Sequence, residues 1–432
     1  MPKTKTPALA IERTQLANGL RVVFAPDRAS PAVFVAVYYD VGFRSEPEGR
    51  TGFAHLFEHL MFQGSATLEK GMHDALVTGN GGILNGSTRN DFTNYFEMMP
   101  SNALELALFL EADRMRAVRL TPENLRNQVD VVEEEILVNV KNQPYGGFPW
   151  LYLPMALFST FPNAHDAYGD FADLEAATLE DAQAFFDRYY APANAVLTVA
   201  GDVDPDEASV MIERLFGDIE KREAPPTVDA SEALPTEERR VPHPDPHAPQ
   251  PAVALAYRVP DPITDFGDYV ATVLLTSILV DGEASRLYQR LVKNDRIASH
   301  ISGDVGLVAG TFEVRGPSML HIASWYPGDA NPDPILRAID EEVAKVAAGV
   351  DDEELDRFRS AYTADYLGSI DALSNRGMLV AAFEQQRSRA EMINEIPAAL
   401  ATATADDVAR VAGEWIRPDR RAVVDLHPGG RR

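Results

Sequence analysis

One segment of this chain occurs twice, and that repeat limits the possible fold more than any other feature. The run TLEDAQAFFDRYYAPANAVLTV, beginning at Thr178, returns in related form as TATADDVARVAGEWIRPDRRAVVDL, beginning at Thr402. Thr178 pairs with Thr404, Asp181 with Asp407 and Pro192 with Pro418, all at one offset of 226 residues. Each copy opens with a threonine suited to cap a helix and an acidic residue three positions on. Each then runs at helical spacing, stops at a proline and enters a β-rich stretch, AVLTV or AVVDL. The halves also begin alike: NGLRVVFAPD and PAVFVAVYYDVG read as paired strands, and PAVALAYRV (Pro251–Val259) is a counterpart of the second.

The pattern predicts an α+β protein of two homologous domains, each an antiparallel β-sheet with helices packed on it. With 432 residues, 45% of them hydrophobic, each half can bury its own core. Residues 221–250, dense in proline and charge and almost free of apolar side chains, read as an extended linker. The expected domains are therefore 1–220, N-terminal, and 251–432, C-terminal.

Bulk properties exclude several functions. The net charge of −27, from 39 basic and 66 acidic side chains, opposes nucleic acid and anionic lipid as partners. No apolar run approaches the roughly eighteen residues of a membrane span. The start, MPKTKTPALAIERTQLANGL, lacks the apolar stretch of a secretory signal, so a cytoplasmic bacterial protein is expected. Zero cysteines exclude disulfides, thiolate catalysis and Cys-type zinc sites, leaving His, Asp and Glu to hold any metal.

The chain has only 9 histidines, yet two of them lie four apart in GRTGFAHLFEHLMFQGS. Thr51 reads as a helix N-cap and Gly64 as a stop, with Phe53, Leu56, Phe57, Leu60 and Met61 forming an apolar face. His55 and His59 then stand one turn apart on the same face, able to reach one ion from about 2.0–2.1 Å each. Glu58 lies on that side as a general base for water. The arrangement is the inverted zinc motif H-x-x-E-H. A second helix, opening near Thr121 with Pro122 at its first position, carries NQVDVVEEEILVNVKNQ. Glu133, Glu134 and Glu135 each offer a carboxylate, and one pointing inward among valines needs a partner or a metal.

HxxEH followed by a V-V-x-x-E helix resembles the pitrilysin and insulinase-type zinc peptidases, the family that includes the mitochondrial processing peptidase. The duplicated halves, the linker and LNGSTRNDFTNYFEMMP (Leu84–Pro100), similar to that family's edge strand beside zinc, extend the resemblance over nearly the whole chain. It implies clam-like halves and one Zn2+ per chain. It also makes Glu135, 76 residues after His59, the third ligand beside His55 and His59, and Glu58 the water-activating base. Glu133 and Glu134 are left to the surface. Asn85, Gly86 and Ser87 are expected to bind peptide substrates by strand addition.

Two departures from the family pattern stand out. Gln128 replaces a glutamate seven residues before the third ligand. In the second half, where active relatives carry an arginine and a tyrosine seven apart, the aligned positions are Lys293 and His300. Either these two substitute in substrate binding, or a homologous partner subunit lacking the zinc motif supplies the missing pair. The sequence therefore reads as a zinc endopeptidase for unstructured peptides, the catalytic subunit of a hetero-oligomer. The alternatives are a self-sufficient homodimer and a non-catalytic scaffold subunit of the same fold.

Overall fold

The computed structural model describes residues 8–328 and 331–429. The described residues form two units, one of residues 8–132, 169–228 and 367–396, the other of residues 133–168, 229–328, 331–366 and 397–429. Each is an α+β unit built on one sheet.

The first sheet contains β1 (Glu12–Gln15), β2 (Arg21–Pro26), β3 (Ala32–Tyr39), β4 (Ile83–Thr88), β5 (Thr93–Pro100) and β6 (Ala195–Gly201), in the order β1-β2-β6-β3-β5-β4. The second contains β7 (Arg239–Asp245), β8 (Ala252–Arg258), β9 (His300–Val305), β10 (Met319–Trp325) and β11 (Arg421–Pro428), in the order β7-β11-β8-β10-β9. The repeat is visible strand by strand, for β2-β6-β3-β5-β4 corresponds to β7-β11-β8-β10-β9. Both sheets are mixed, because β2 runs parallel to β6 and β7 runs parallel to β11 while the other pairs are antiparallel. A parallel neighbour needs a long crossover. β6 and β11 return to their sheets after such excursions, each directly behind a repeated helix.

Those two helices, Leu179–Tyr189 and Ala405–Trp415, begin with the same reciprocal cap. Thr178 accepts from the Asp181 N–H while Asp181 accepts from Thr178, and Thr404 and Asp407 do the same. Each is followed by a short 3-10 turn opening with Pro192 or Pro418, then by the strand.

In the first unit, all of β3 after Ala32 is buried, so both of its faces are covered. The helices α1 (Phe53–Leu60), α2 (Met72–Gly79) and α3 (Leu104–Arg116) follow in chain order, and α4 (Pro122–Ile136) begins in this unit and passes out of it after Val132. A later helix, Leu373–Arg387, lies against β3 and β6. It approaches closely because Gly377 has no Cβ, and one added there would fall 2.2 Å from the Phe34 ring.

The second unit has a core of Leu153, Leu157, Ala254, Ala256, Ala323, Val424 and Leu426 with Phe148 and Phe158. Part of the segment expected as linker is strand here: Arg239–Asp245 is β7, paired with β11 only. Its Pro242 and Pro244 suit an edge strand, where a missing N–H costs nothing on the open side. The glycine-rich stretch Tyr145–Phe148 packs on this core. Tyr145 donates its N–H to Asp245 (2.7 Å) and its hydroxyl to the Gln250 carbonyl (2.9 Å). Among the described residues, no helix is long and apolar enough to cross a membrane.

Candidate metal centre

Burial of Leu56, Phe57 and Leu60, none of them exposed, fixes the rotation of α1. The Phe57 ring lies 5.0 Å from Phe185 and 4.8 Å from Tyr190. Residues at i, i+3 and i+4 on the other side are then His55, Glu58 and His59.

The cap of α1 differs from the sequence expectation. Its N-cap is Gly52, at φ +80°, which has no side chain to offer. Glu46, 3% exposed, caps instead: its carboxylate accepts from the Gly52 N–H (2.9 Å) and the Ala54 N–H (2.8 Å). Thr51 serves as a tether, donating its N–H (3.0 Å) and hydroxyl (2.7 Å) to Asp173 and accepting from the Asp170 N–H (3.0 Å). At the other end the helix stops at Leu60, and Gly64 takes φ +107° at the turn beyond it.

The two imidazoles meet Nε2 to Nε2 at 3.3 Å, with their rings at 88°. An ion bound tetrahedrally at ~2.0–2.1 Å from two nitrogens holds them about 3.3–3.4 Å apart. The pair therefore already has the separation that a shared zinc requires. The Glu135 carboxylate on α4 joins them, with all three ligand atoms within 4.8 Å of one another. Two imidazoles and one carboxylate are the donor set of a zinc site that keeps a position open for water, and the residues present fit that ion.

Neighbouring side chains orient this set. The Tyr168 hydroxyl donates to Glu135 Oε1 (3.1 Å), and the Tyr168 ring is packed 5.2 Å from Trp150. Glu58 Oε2 accepts from the hydroxyl of Thr88 (2.7 Å), a 4%-exposed residue ending β4. Of the other glutamates, Glu134 is exposed and Glu133 is half-buried. Gln128 is buried and donates to Asn127 (2.9 Å).

Asn85, Gly86 and Ser87 lie in β4, the last strand of its sheet, opposite Phe96, Tyr95 and Asn94 of β5. Ser87 donates to Asn94 (2.6 Å), and Gly86 gives its N–H to Asn85 Oδ1 (2.9 Å). Lys293 and His300 are both exposed and belong to the second unit. The Lys293 ammonium is 3.7 Å from Glu283 and over the Tyr288 ring, whereas His300 opens β9 with its ring 5.3 Å from Trp325.

Glu46, Thr88 and Tyr168 escape a reading of the sequence. Each acts on a residue that local patterning does not join to it, and the acid upstream of the Gly52 cap is the only trace that a search for distant caps could use.

Residues 21–148 match the family described as insulinase (peptidase family M16), and residues 176–362 match the peptidase M16 inactive domain. The zinc protease PqqE of Helicobacter pylori is 27% identical over 433 residues, covering 96% of this chain and 93% of that protein. The crystal structure of a protease from Helicobacter pylori superposes with a TM-score of 0.89 at 26% identity, covering 97% of this chain and 100% of the other. The periplasmic protease PqqL from Escherichia coli has the same fold, with a TM-score of 0.76 at 18% identity over 98% of this chain and 48% of that one. A protein of this fold thus works outside the cytoplasm, which overturns the cytoplasmic placement expected from the start of the sequence.

Proposed function

Since the chain belongs to the insulinase (M16) family of zinc metallopeptidases and is a zinc-dependent endopeptidase, we propose that His55, His59 and Glu135 hold one zinc ion and that Glu58 is the catalytic base. The 3.3 Å approach of the two Nε2 atoms, with the Glu135 carboxylate beside them, carries this reading. Zinc held there would acidify a water and polarise the peptide carbonyl. Glu58 takes the proton from the attacking water and returns it to the leaving amine, and the Thr88 hydroxyl aims its carboxylate. Along β4, Asn85, Gly86 and Ser87 receive the substrate as an added strand. Backbone pairing recognises an extended peptide with little demand on its sequence, so unstructured peptides are cut and folded proteins are not.

In this proposal the chain is the catalytic subunit of a hetero-oligomer, whose homologous partner supplies an arginine and a tyrosine toward the substrate. Lys293 and His300 offer neither a guanidinium fork nor a phenol, which supports the second chain over a homodimer in which those two residues bind substrate. The test is to incubate the zinc-loaded chain alone with a mixed pool of unstructured peptides, with and without chelator, and to read cleavage by mass spectrometry. Chelator-sensitive cleavage that disappears in a zinc-retaining Glu58→Gln variant supports the site and a self-sufficient enzyme. Zinc-bound silence relieved by a sister chain supports the hetero-oligomer. Parent-level cleavage by Glu58→Gln would remove Glu58 from its role.

A further inference from the structure

Beneath β4 and β5 the first unit buries four ionisable side chains in one contact group. Glu97 of β5 and Glu111 of α3 are fully buried, Arg114 of α3 is 1% exposed and His73 of α2 is 7% exposed. The Arg114 guanidinium contacts Glu111 and lies 3.5 Å from Glu97 Oε1, which also meets His73 Nε2 at 2.7 Å. Burial and the nearby Arg114 hold His73 down at about 3, so it is a neutral donor to Glu97. Two carboxylates then face a single fixed cation. The ligand atoms of His73, Glu97 and Glu111 lie within 4.8 Å of one another, as a metal would require, but Arg114 already supplies the positive charge at that place. One proton suffices for the remainder, since two carboxyls this close in a dry site do not both ionise. Glu97 Oε2 and Glu111 Oε2 have no other partner.

What this group supports is the strand expected to bind peptide. The Arg114 guanidinium is over the Tyr95 ring at 4.4 Å and the Phe62 ring at 5.2 Å. Those two rings are 5.7 Å apart and cover Gly86, where an added Cβ would stand 3.2 Å from each. Phe62 follows the metal-binding helix by two residues, and Tyr95 is the register partner of Gly86. We propose that Arg114 is a positioning residue for the peptide-binding strand β4, and that Glu97 and Glu111 hold it there by sharing one proton. This rests on the reading of β4 given above.

The pH dependence has a definite sign. Burial, opposed by Arg114 and aided by Glu97, pushes Glu111 up to about 8 from an ordinary 4.5, and burial raises Glu97 as well. His73 from α2, Tyr39 from β3 and Arg114 from α3 also face Glu111, with Asp74 and Asp113 near His73. Between those two values the folded chain binds a proton that the unfolded chain has lost. The stability from this pair is therefore complete below pH 4.5 and is lost as pH rises toward 8.

Melting the full, chelator-treated chain between pH 6 and pH 8 reads the pair without any peptidase activity. The parent should lose about 5–10 °C more than Glu111→Gln, whose amide needs no proton. If Glu111→Gln does not fold, Glu97→Gln reads the same proton from its partner. With zinc restored, Arg114→Lys should raise KM for unstructured peptides at least about fivefold with kcat within about twofold, because lysine keeps the charge and loses the planar stack. Equal pH slopes in parent and glutamine variants would overturn the shared proton, as would a second divalent cation per chain that Glu111→Gln removes. An unchanged KM in Arg114→Lys would overturn the positioning role. If peptide cleavage proves independent of zinc, the functional reading falls while the metal-free melts still decide the proton.

Discussion

Replacing Glu46 with glutamine isolates the force that holds the helix of the proposed zinc ligands His55 and His59 at its N-terminus. The carboxylate accepts two backbone N–H bonds, at 2.9 and 2.8 Å, where only 3% of its residue is exposed. Glutamine keeps one acceptor oxygen and turns an NH2 group toward the other N–H, leaving that donor buried and unpaired. Losing one charge-assisted bond together with the negative charge at a helix start costs about 2–4 kcal/mol. For a unit of this size that corresponds to about 4–16 °C in melting temperature. Circular dichroism melts in chelator measure this, since loss of metal then cannot account for the change. His55 lies in the first turn of α1, three residues after Gly52, so fraying there would also misplace a proposed ligand. Zinc affinity, measured by competition with a chromophoric chelator, should fall roughly 10- to 100-fold. A melting temperature within about 1 °C of the parent would refute the cap. A lower melting temperature with unchanged zinc affinity would show that the cap supports the fold without holding the ligand.

Other substitutions test the remaining parts of the site and fold. Glu135→Ala should weaken zinc by roughly two orders of magnitude or more while Glu134→Ala, at an exposed position, leaves it unchanged. Retained zinc in Glu135→Ala, with loss in Glu133→Ala or Glu134→Ala, would move the third ligand. Tyr168→Phe removes the hydroxyl that donates to Glu135 and should cost about tenfold in zinc affinity by the same competition assay. Thr178→Ala and Thr404→Ala each break one capping box and should each cost about 1 kcal/mol in urea unfolding. A large inequality between the two would mean that the repeated helices do not depend on their caps in the same way.

What was legible in the sequence was short in range. The capping boxes join residues three apart, the imidazole pair joins residues four apart, and the helix containing Glu135 starts at Pro122 as its pattern predicts. Interactions that fold distant segments together left no such pattern. The Arg239–Asp245 strand looks like linker because two prolines and exposed charges suit both, and its partner is nearly two hundred residues away at Arg421–Pro428. An isolated helix pattern likewise assigns a cap to the nearest threonine, whereas the carboxylate that caps α1 arrives from a preceding turn.

Periodicity and spacing by themselves determined that there are two related α+β halves and that His55, Glu58 and His59 share one helical face. These follow from the backbone's own geometry, which repeats every 3.6 or 2 residues whatever surrounds it. The family resemblance singled out Glu135 among three consecutive glutamates, and the fold brings its carboxylate beside the imidazoles; only the tertiary structure decided that Thr88 and Tyr168 orient Glu58 and Glu135, and that Arg114 lies beneath the edge strand between two buried carboxyls. Those choices depend on which side of each element is buried against which neighbour, and packing between segments far apart in the chain sets that.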